Sequence, residues 1–333
     1  MANRGKVYNR IYTPELWEKV NKENKIIMND YLEEYKQRKK SKGTIDQYFN
    51  DLRIVFIFIL NELNNQSILN LKKKDFRRFN IWCQERDMSN ARVNRLMSSI
   101  RSMLAYVEDD EEYDYEVNYA SKVKGLAKEP VRIDEDDFFM TYEQIIKIRD
   151  ELLKRGELKL CVLHMILFDS AGRRNEVHQI LKEGLLEGNK TNIVKGKRGK
   201  TFPLVYLNDT KELIKQYLEE RGEDEIESLW IIGKGENKKP ASYETIYDWV
   251  LKIAKIFSEI EGRQIDIFCH SYRHSRIECL LQGEDPRLLD ENGKPRKYSL
   301  EEVQKFVHHS SSDTTSGYAK NHDEDVIDNM FGL

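Results

Sequence analysis

The spacing of apolar residues predicts helices over most of the first hundred residues. Apolar side chains recur every three or four positions, which is the spacing of one face of an α-helix. The pattern covers the segments 26–40, 45–63, 75–86 and 91–107. These four segments predict a small helical bundle.

Two capping signals mark predicted helix starts. Thr44 and Gln47 have the spacing of a capping box, and Gly43 before them is typical of a helix end. Thr141 and Gln144 repeat this spacing. We therefore predict that one helix begins at Thr44 and that a second domain opens with a helix after Thr141.

The second half of the chain mixes helical spacing with short β-like runs. A polar break follows an apolar helical run, and two short β-like runs flank a turn rich in glycine and lysine, which predicts a β-hairpin. The segments are a helix at 160–168, a break at 170–177, β-like runs at 192–194 and 202–206, and helices at 243–260, 272–282 and 299–308. This half is therefore predicted to be mainly α with one small antiparallel sheet.

The same patterns divide the chain into domains. A stretch with Gly125 and Pro130 lacks periodicity, which is typical of a linker. The predicted organisation is an N-terminal extension at 1–25, a helical domain at 26–118, a linker at 119–137 and a second domain at 138–333. The fold class is mainly α.

Composition limits the class of protein. With 333 residues, 39% of them hydrophobic, the chain is long enough for two cores. We find no apolar run near the roughly 18 residues of a membrane span and no signal-peptide pattern at the start. The four cysteines are scattered singly, which favours buried, inert thiols in a reducing compartment. We expect a cytoplasmic, nucleoid-associated protein.

Charge is distributed unevenly along the chain. The net charge is −3, but residues 1–107 hold 21 Lys and Arg against 12 Asp and Glu, whereas residues 108–116 hold seven carboxylates. The basic N-terminal part is therefore a candidate DNA-backbone surface, although solvated helix faces would have the same composition. The candidate DNA-binding residues are Lys36, Arg38, Lys39, Lys40, Lys42, Lys73, Lys74, Arg77, Arg92 and Arg95.

Three clusters in the second half carry groups suited to phosphodiester chemistry. Arg173 and Glu176 lie in the polar break, and His270 and Arg273 lie three residues apart in a later cluster. Tyr318 follows His309 by nine residues. Guanidinium groups pair bidentately with phosphate oxygens, and a phenol is a potential nucleophile. Each residue alone also has a structural interpretation, such as packing for Tyr318 or a surface position for His309 or its neighbour His308.

Taken together, these motifs resemble the tyrosine recombinases, also called phage integrases, over nearly the whole chain. Arg173 stands three residues before Glu176, as the family's first catalytic arginine does before a glutamate. Lys200 lies in a turn that is similar to the family's β-turn with its catalytic lysine. His270 and Arg273 match the family's His-x-x-Arg box. His309 and Tyr318 match its closing histidine and nucleophile.

The resemblance implies a SAM-like N-terminal DNA-binding domain and a role for each matched residue. Tyr318 would form a 3′-phosphotyrosyl bond, with Arg173 and Arg273 clamping the phosphate. Lys200 would protonate the departing 5′ oxygen. His270 would act as base or orienting donor, and His309 as a further phosphate donor. No metal or other cofactor is required.

This sequence departs from the family pattern at a few positions. Val307 and His308 stand where the family often has Leu-Gly, and an insertion at about 283–297 lengthens the link after the Arg273 helix. Arg174 and His178 are polar where the family usually has apolar residues. Residues 1–25 are too short for the extra arm-binding domain of larger integrases.

The expected partner is double-stranded DNA, and the C-terminal tail suggests assembly. Val326, Ile327, Met330 and Phe331 form one apolar stripe of a short helix. In the family such a tail docks on a neighbouring protomer, which implies a homotetramer on paired sites. Intramolecular docking is the alternative. An accessory directionality protein is a further possible partner.

Two functional classes fit these residues. The first is a site-specific recombinase that performs integrase- or excisionase-type strand exchange. The second is a DNA-binding regulator that keeps the fold without catalysis. A type IB topoisomerase-like protein or a hairpin telomere resolvase is a narrower enzymatic alternative. The ordered set of six residues favours the recombinase, because a pure binder needs no phenol at Tyr318.

Overall fold

A computed structural model describes residues 11–127 and 139–308 of the protein. The chain divides into two compact units, Met1–Val131 and Arg132–Leu333. Each unit has its own apolar core. None of the helices within the described ranges is both long and apolar enough to cross a membrane.

The N-terminal unit is helical and is built around one buried helix. Residues 54–59 of this helix are apolar and buried on all sides, so the other helices pack around it. In the described residues the helices are α1 (Pro14–Lys19), α2 (Lys22–Gln37), α3 (Lys42–Glu62), α4 (Lys73–Gln84) and α5 (Asn90–Asp109). The central helix is α3, and α2 to α5 confirm the four predicted helices.

One predicted helix start was wrong. Ser41, not Thr44, caps α3, because its side-chain oxygen accepts a hydrogen bond from the Thr44 backbone N–H at 3.3 Å. Gly43 therefore lies inside the first turn rather than at the end of the preceding helix. A serine three residues upstream offers the same capping oxygen, so the helix starts earlier.

The packed N-terminal unit is longer than the predicted segment 26–118. Before it, α1 and the start of α2 occupy part of the predicted extension, and Ile11 and Val20 enter the core. After it, Ala120 and Val123 are buried, and their carbonyls accept hydrogen bonds from Arg101. These segments are too short or too irregular to show helical periodicity, so the sequence did not indicate that they pack on the bundle.

The C-terminal unit is mainly helical and carries two small antiparallel sheets. Its central helix, which ends at Ser170, is buried from Leu160 onward and packs against four other helices. The helices of its described part are α6 (Tyr142–Lys154), α7 (Leu158–Ser170), α8 (Arg174–His178), α9 (Asn208–Arg221), α10 (Tyr243–Glu261), α11 (Cys269–Gln282) and α12 (Leu300–Phe306). The strands are β1 (Lys190–Lys195) paired with β2 (Thr201–Val205), and β3 (Ile231–Ile232) paired with β4 (Lys239–Pro240).

This architecture confirms the mainly α fold class and the β1–β2 hairpin. The capping box of Thr141 and Gln144 is also confirmed at the start of α6. Helix α9 and the β3–β4 pair were not predicted. All four cysteines are unpaired and buried, and burial raises the pKa of Cys161 and Cys279 to about 12, as expected for inert thiols.

The predicted insertion at 283–297 is anchored by buried charges. Arg287 Nη2 lies 2.7 Å from Asp169 Oδ1 at the end of α7 and 2.9 Å from Asp285 Oδ2. Its Nη1 lies 2.9 Å from Asp209 Oδ2 of α9. The insertion is therefore tied to α7, the helix that leads into the candidate site.

Candidate active site and DNA-binding surface

Arg173 lies at the turn between α7 and α8, where a buried glutamate holds it. Its backbone N–H donates to Glu176 Oε2 at 2.8 Å, and its Nη1 donates to Oε1 at 2.9 Å. Glu176 is only 2% exposed. The turn needs Gly172, since a Cβ there would lie 2.8 Å from Val177 Cγ2 and 2.9 Å from Ser170 Oγ. The Arg–Glu spacing of the sequence thus becomes a fixed ion pair.

Arg273 is buried in α11, and backbone carbonyls hold its guanidinium. Nη1 donates to the carbonyl of Ala171 at 2.6 Å, and Nη2 donates to the carbonyl of Val307. Ala171 is in the left-handed conformation, with φ of 50°, at the end of α7. One side chain therefore links the end of α7, helix α11 and the chain that follows α12.

Lys200 is exposed near the turn of the β1–β2 hairpin and points to the same region. Its Nζ donates to the carbonyl of His308 at 3.2 Å. The His308 ring stacks on the Phe202 ring, with centroids 3.8 Å apart and planes at 27°. The hairpin therefore contacts His308, the residue just before His309, at its backbone through an ammonium group and at its side chain through an aromatic ring.

His270 and His308 share most of their charged neighbours. Partial loss of hydration and the charges of Arg273 and Arg173 lower the pKa of His270, which nonetheless remains exposed at the start of α11. Burial lowers the pKa of His308 as well, with the charges of Arg273, Lys200 and Arg173 acting in the same direction. The neutral imidazole is favoured at both positions.

The structure therefore places four of the six predicted catalytic residues in one neighbourhood: Arg173, Lys200, His270 and Arg273. His308 lies among them. His309 and Tyr318 lie outside the described residues, as does the predicted tail stripe of Val326, Ile327, Met330 and Phe331. Within the described ranges, we find no cluster of three or more side chains suited to bind a metal ion.

The sequence analysis did not identify the supporting roles of two hairpin residues, Gly196 and Phe202. A Cβ on Gly196 would lie 2.8 Å from the Phe202 ring and 3.1 Å from Glu176 Oε1, so only glycine fits without movement. The backbone N–H of Gly196 also donates to the carbonyl of Lys200 at 2.7 Å and closes the turn. A glycine that begins a turn between two strand-like runs was the available signal.

The polar departures from the family pattern pack against α10. The Arg174 guanidinium lies 3.6 Å from the centroid of the Tyr243 ring. His178 Nε2 lies 3.0 Å from the carbonyl oxygen of Ala241, and its ring meets Tyr243 edge-on. These side chains therefore fix the position of α8, which follows Arg173.

The predicted DNA-binding residues fall on two surfaces of the N-terminal unit. Lys39 and Lys40 are exposed between α2 and α3, and Lys42 is exposed at the start of α3. Nearby, Lys36 pairs with Glu33 and Arg38 pairs with Glu34. Arg92 and Arg95 of α5 line a cleft together with Gly43, at the start of α3. Seven of the ten predicted DNA-binding residues therefore lie near that end of α3.

The other three residues lie near the opposite end of α3. Lys73, Lys74 and Arg77 are on α4, where the neighbouring Arg78 pairs with Glu62 at 3.1 Å. Gly43 and Glu62 are separated by about 28 Å along α3, given the rise of an α-helix. The structure does not bring this second group to the first surface.

Comparisons with known proteins match this architecture. Residues 28–110 match the family model for the phage integrase N-terminal SAM-like domain. The SPbeta prophage-derived recombinase-like protein YomM of Bacillus subtilis (strain 168) is 27% identical over 91% of this chain and 89% of its own. Tyrosine recombinase XerC of Treponema denticola (strain ATCC 35405) is 25% identical over 87% of this chain and 94% of its own.

Solved structures share the fold at low sequence identity. XerH site-specific recombinase, in a post-cleavage complex with a palindromic difH substrate, has a TM-score of 0.64 and 18% identity, over 89% of this chain and 81% of its own. A lambda integrase tetramer bound to a Holliday junction has a TM-score of 0.64 and 12% identity, over 89% of this chain and 76% of its own.

The chain shares its fold with site-specific recombinases of known structure. In sequence the chain is similar to tyrosine recombinases, and its residues 28–110 match the N-terminal domain of phage integrases.

Proposed function

We propose that the protein is an active site-specific recombinase that cuts and rejoins double-stranded DNA through a 3′-phosphotyrosyl intermediate on Tyr318. One observation carries the proposal. Arg273 and Lys200 donate to the carbonyls of Val307 and His308, the two residues immediately before His309. These contacts bring the backbone that leads to His309 and Tyr318 beside the proposed phosphate ligands.

The reaction follows from the chemistry of these groups. The Tyr318 oxygen attacks the phosphorus, and its proton passes to His270, whose lowered pKa favours the neutral form that accepts it. The bond from phosphorus to the 5′ oxygen breaks, and Lys200 protonates the departing oxygen. In rejoining, a 5′ hydroxyl attacks the phosphotyrosyl bond and releases Tyr318.

Arg173 and Arg273 stabilise the charge that develops on the non-bridging oxygens. A guanidinium group keeps its charge and offers planar donors that suit phosphate. Glu176 orients Arg173, and the carbonyls of Ala171 and Val307 orient Arg273. His309 supplies a further hydrogen bond to the phosphate. Fixed donors of this kind stabilise a transition state without reorganising when the reaction occurs.

The proposed strand exchange is of the integrase or excisionase type, on paired DNA sites. The prophage origin of the Bacillus subtilis relative supports a mobile-element context. The tail stripe at Val326, Ile327, Met330 and Phe331 is proposed to dock on a neighbouring protomer. A chain truncated after Ala319 should then bind single sites but lose higher-order DNA complexes in native gels, and unchanged complexes would refute the docking.

The catalytic proposal is tested with nicked suicide duplexes that carry a binding site recovered by selection. Wild-type protein should form a covalent protein–DNA adduct that survives denaturing electrophoresis. Tyr318→Phe should abolish the adduct and leave DNA affinity within about two-fold, because a single hydroxyl contributes little to backbone binding. Arg173→Ala and Arg273→Ala should lose cleavage as well.

The outcomes separate the two functional classes. Wild-type protein that binds its site but yields no adduct would contradict the recombinase proposal and support a DNA-binding regulator. An adduct that persists in Tyr318→Phe would show that another residue is the nucleophile.

A further inference from the structure

A cleft in the N-terminal unit is lined by polar side chains of two helices. It has a volume of about 360 Å³ and lies between the start of α3 and the start of α5. The lining residues are Gly43, Asp46, Gln47, Asn50, Asp51, Arg92 and Arg95. Its floor is a carboxylate, and its rim carries amides and guanidinium groups.

Asp51 holds both arginines of the cleft. Its Oδ1 accepts from Arg92 Nη1 at 2.7 Å and from Arg95 Nη2 at 3.1 Å. Its Oδ2 accepts from Ser99 Oγ at 3.2 Å. The Asp51 side chain is 1% exposed, whereas those of Arg92 and Arg95 are 25% and 47% exposed. A buried acid thus anchors two guanidinium groups that remain open to solvent.

This arrangement is rigid for a physical reason. Burial raises the pKa of Asp51, so its charged form depends on the arginine and serine donors around it. If either arginine moved away, the negative charge of the buried Asp51 carboxylate would lose part of the positive charge and hydrogen bonding that stabilises it. Arg92 and Arg95 are one helical turn apart, so the shared acceptor also fixes their spacing. Each guanidinium group has five N–H donors and gives one to Asp51 in these contacts, which leaves donors for a ligand.

A rigid pair of guanidinium groups suits base edges better than phosphates. Arginine reads guanine through bidentate hydrogen bonds to O6 and N7, which requires an oriented group. Non-specific attraction to the DNA backbone, by contrast, needs only positive charge within reach. The same cleft carries Gln47 and Asn50, whose amides suit adenine, and Asp46, whose carboxylate repels phosphate.

We propose that Asp51 is a positioning residue that presents Arg92 and Arg95 to guanine edges in the DNA site. The inference rests on the proposed DNA binding and changes the role expected for these two arginines from backbone contact to base recognition. Asp51 itself does not touch the DNA.

The test uses the full chain with Tyr318→Phe, so that cleavage does not interfere. A duplex pool with a randomised segment first defines the preferred site. Each guanine of that site is then replaced by 7-deazaguanine, which removes the N7 acceptor and keeps base pairing. The parent protein should lose affinity by about 10-fold or more at one or two guanines, and Asp51→Asn should lose this discrimination.

The charge change makes the result diagnostic. Asp51→Asn removes a negative charge, so a mere backbone contact predicts equal or tighter binding to every sequence and unchanged discrimination. The proposal predicts that the ratio of specific to non-specific affinity falls by about 10-fold or more. Unchanged discrimination in a folded Asp51→Asn protein would overturn it.

A second variant guards against misfolding of Asp51→Asn. Arg95→Lys keeps the positive charge but loses the fork, so it should lower discrimination at guanine and leave the salt dependence of binding unchanged. If both variants keep full discrimination while wild-type protein forms the covalent adduct, this inference fails and the proposed function stands. If wild-type protein binds no duplex at all, the proposed function fails first.

Discussion

Several arginine side chains of this protein are held by fixed acceptors within the protein itself. Glu176 holds Arg173, two carbonyls hold Arg273, and Asp51 holds Arg92 and Arg95. A side chain that is already oriented loses less conformational freedom when it binds a ligand. The proposed recognition and the proposed chemistry therefore rely on the same feature in both units, an arginine whose orientation is fixed by an acceptor within the protein.

His164 shows the cost of placing a titratable group in the core. It is buried in α7, where Nε2 lies 2.9 Å from the carbonyl of Ile145 and Nδ1 lies 2.8 Å from Tyr272 Oη. Since a carbonyl only accepts, Nε2 carries the hydrogen and Nδ1 accepts from Tyr272. Burial lowers the pKa of His164 to about 4.

The stability of the C-terminal unit should therefore fall as the pH falls from about 6.5 to about 4. In this window the unfolded chain binds a proton at His164 that the folded chain excludes, so unfolding is favoured progressively. Over the whole window, His164 lowers the free energy of unfolding by about 3 kcal/mol. Urea unfolding of wild-type and His164→Gln proteins at several pH values isolates the contribution of His164, because the two proteins share all other titrating groups.

The variant should be less stable than wild type at pH 7, where it loses a buried hydrogen bond, and the difference should shrink as the pH falls. Tyr272→Phe is the matched control, since it also removes a buried hydrogen bond but keeps the imidazole and should keep the pH dependence. A difference between wild-type and His164→Gln proteins that is constant with pH would contradict the prediction.

At the scale of elements, the β1–β2 hairpin supports the site from one side. Gly196 lies under the Phe202 ring, which stacks on His308, and beside Glu176, which holds Arg173. The hairpin thus carries Lys200, supports His308 through Phe202 and lies against the glutamate that holds Arg173.

Gly196→Ala should therefore damage activity more than stability. The added methyl group would displace the Phe202 ring or Glu176, at a cost of about 1–3 kcal/mol for overpacking. We expect adduct formation to fall by about 10-fold or more, because displacement of the supports by about 1 Å misaligns reacting groups. Rates on suicide duplexes and thermal unfolding measure the two effects separately.

Gly188→Ala is the control within the same unit, since a Cβ there meets no atom within 4 Å. It should leave both measurements nearly unchanged. If Gly196→Ala matches this control in adduct formation, the hairpin does not align the site as described.

Prediction from sequence succeeded where periodicity or a local motif was strong, and it failed where contacts join distant segments. The hairpin and the Thr141 cap are local, and both were predicted correctly. The start of α3 was misplaced because Ser41 and Thr44 offer similar capping oxygens. The pairing of Asp51 with Arg92 joins residues 41 positions apart on two helices, and no local pattern specifies it.

At the scale of the whole molecule, the net charge of −3 conceals a basic N-terminal part. Within that part, the structure separates the basic groups along the length of α3. The exposed lysines between α2 and α3 lie near the Asp51 cleft, whereas the basic residues of α4 lie towards the other end of α3. DNA that reaches the cleft should contact the first group.

Salt dependence tests this division. Lys39→Ala with Lys40→Ala removes two charges near the cleft, and Lys74→Ala with Arg77→Ala removes two from α4. With the Tyr318→Phe chain and a fixed duplex, the first pair should reduce the slope of log affinity against log salt by about two, because each phosphate contact contributes about 0.9. The second pair should change the slope by less than about half a unit. Equal reductions would mean that the DNA contacts both ends of α3 and that charge, rather than the cleft, sets where it binds.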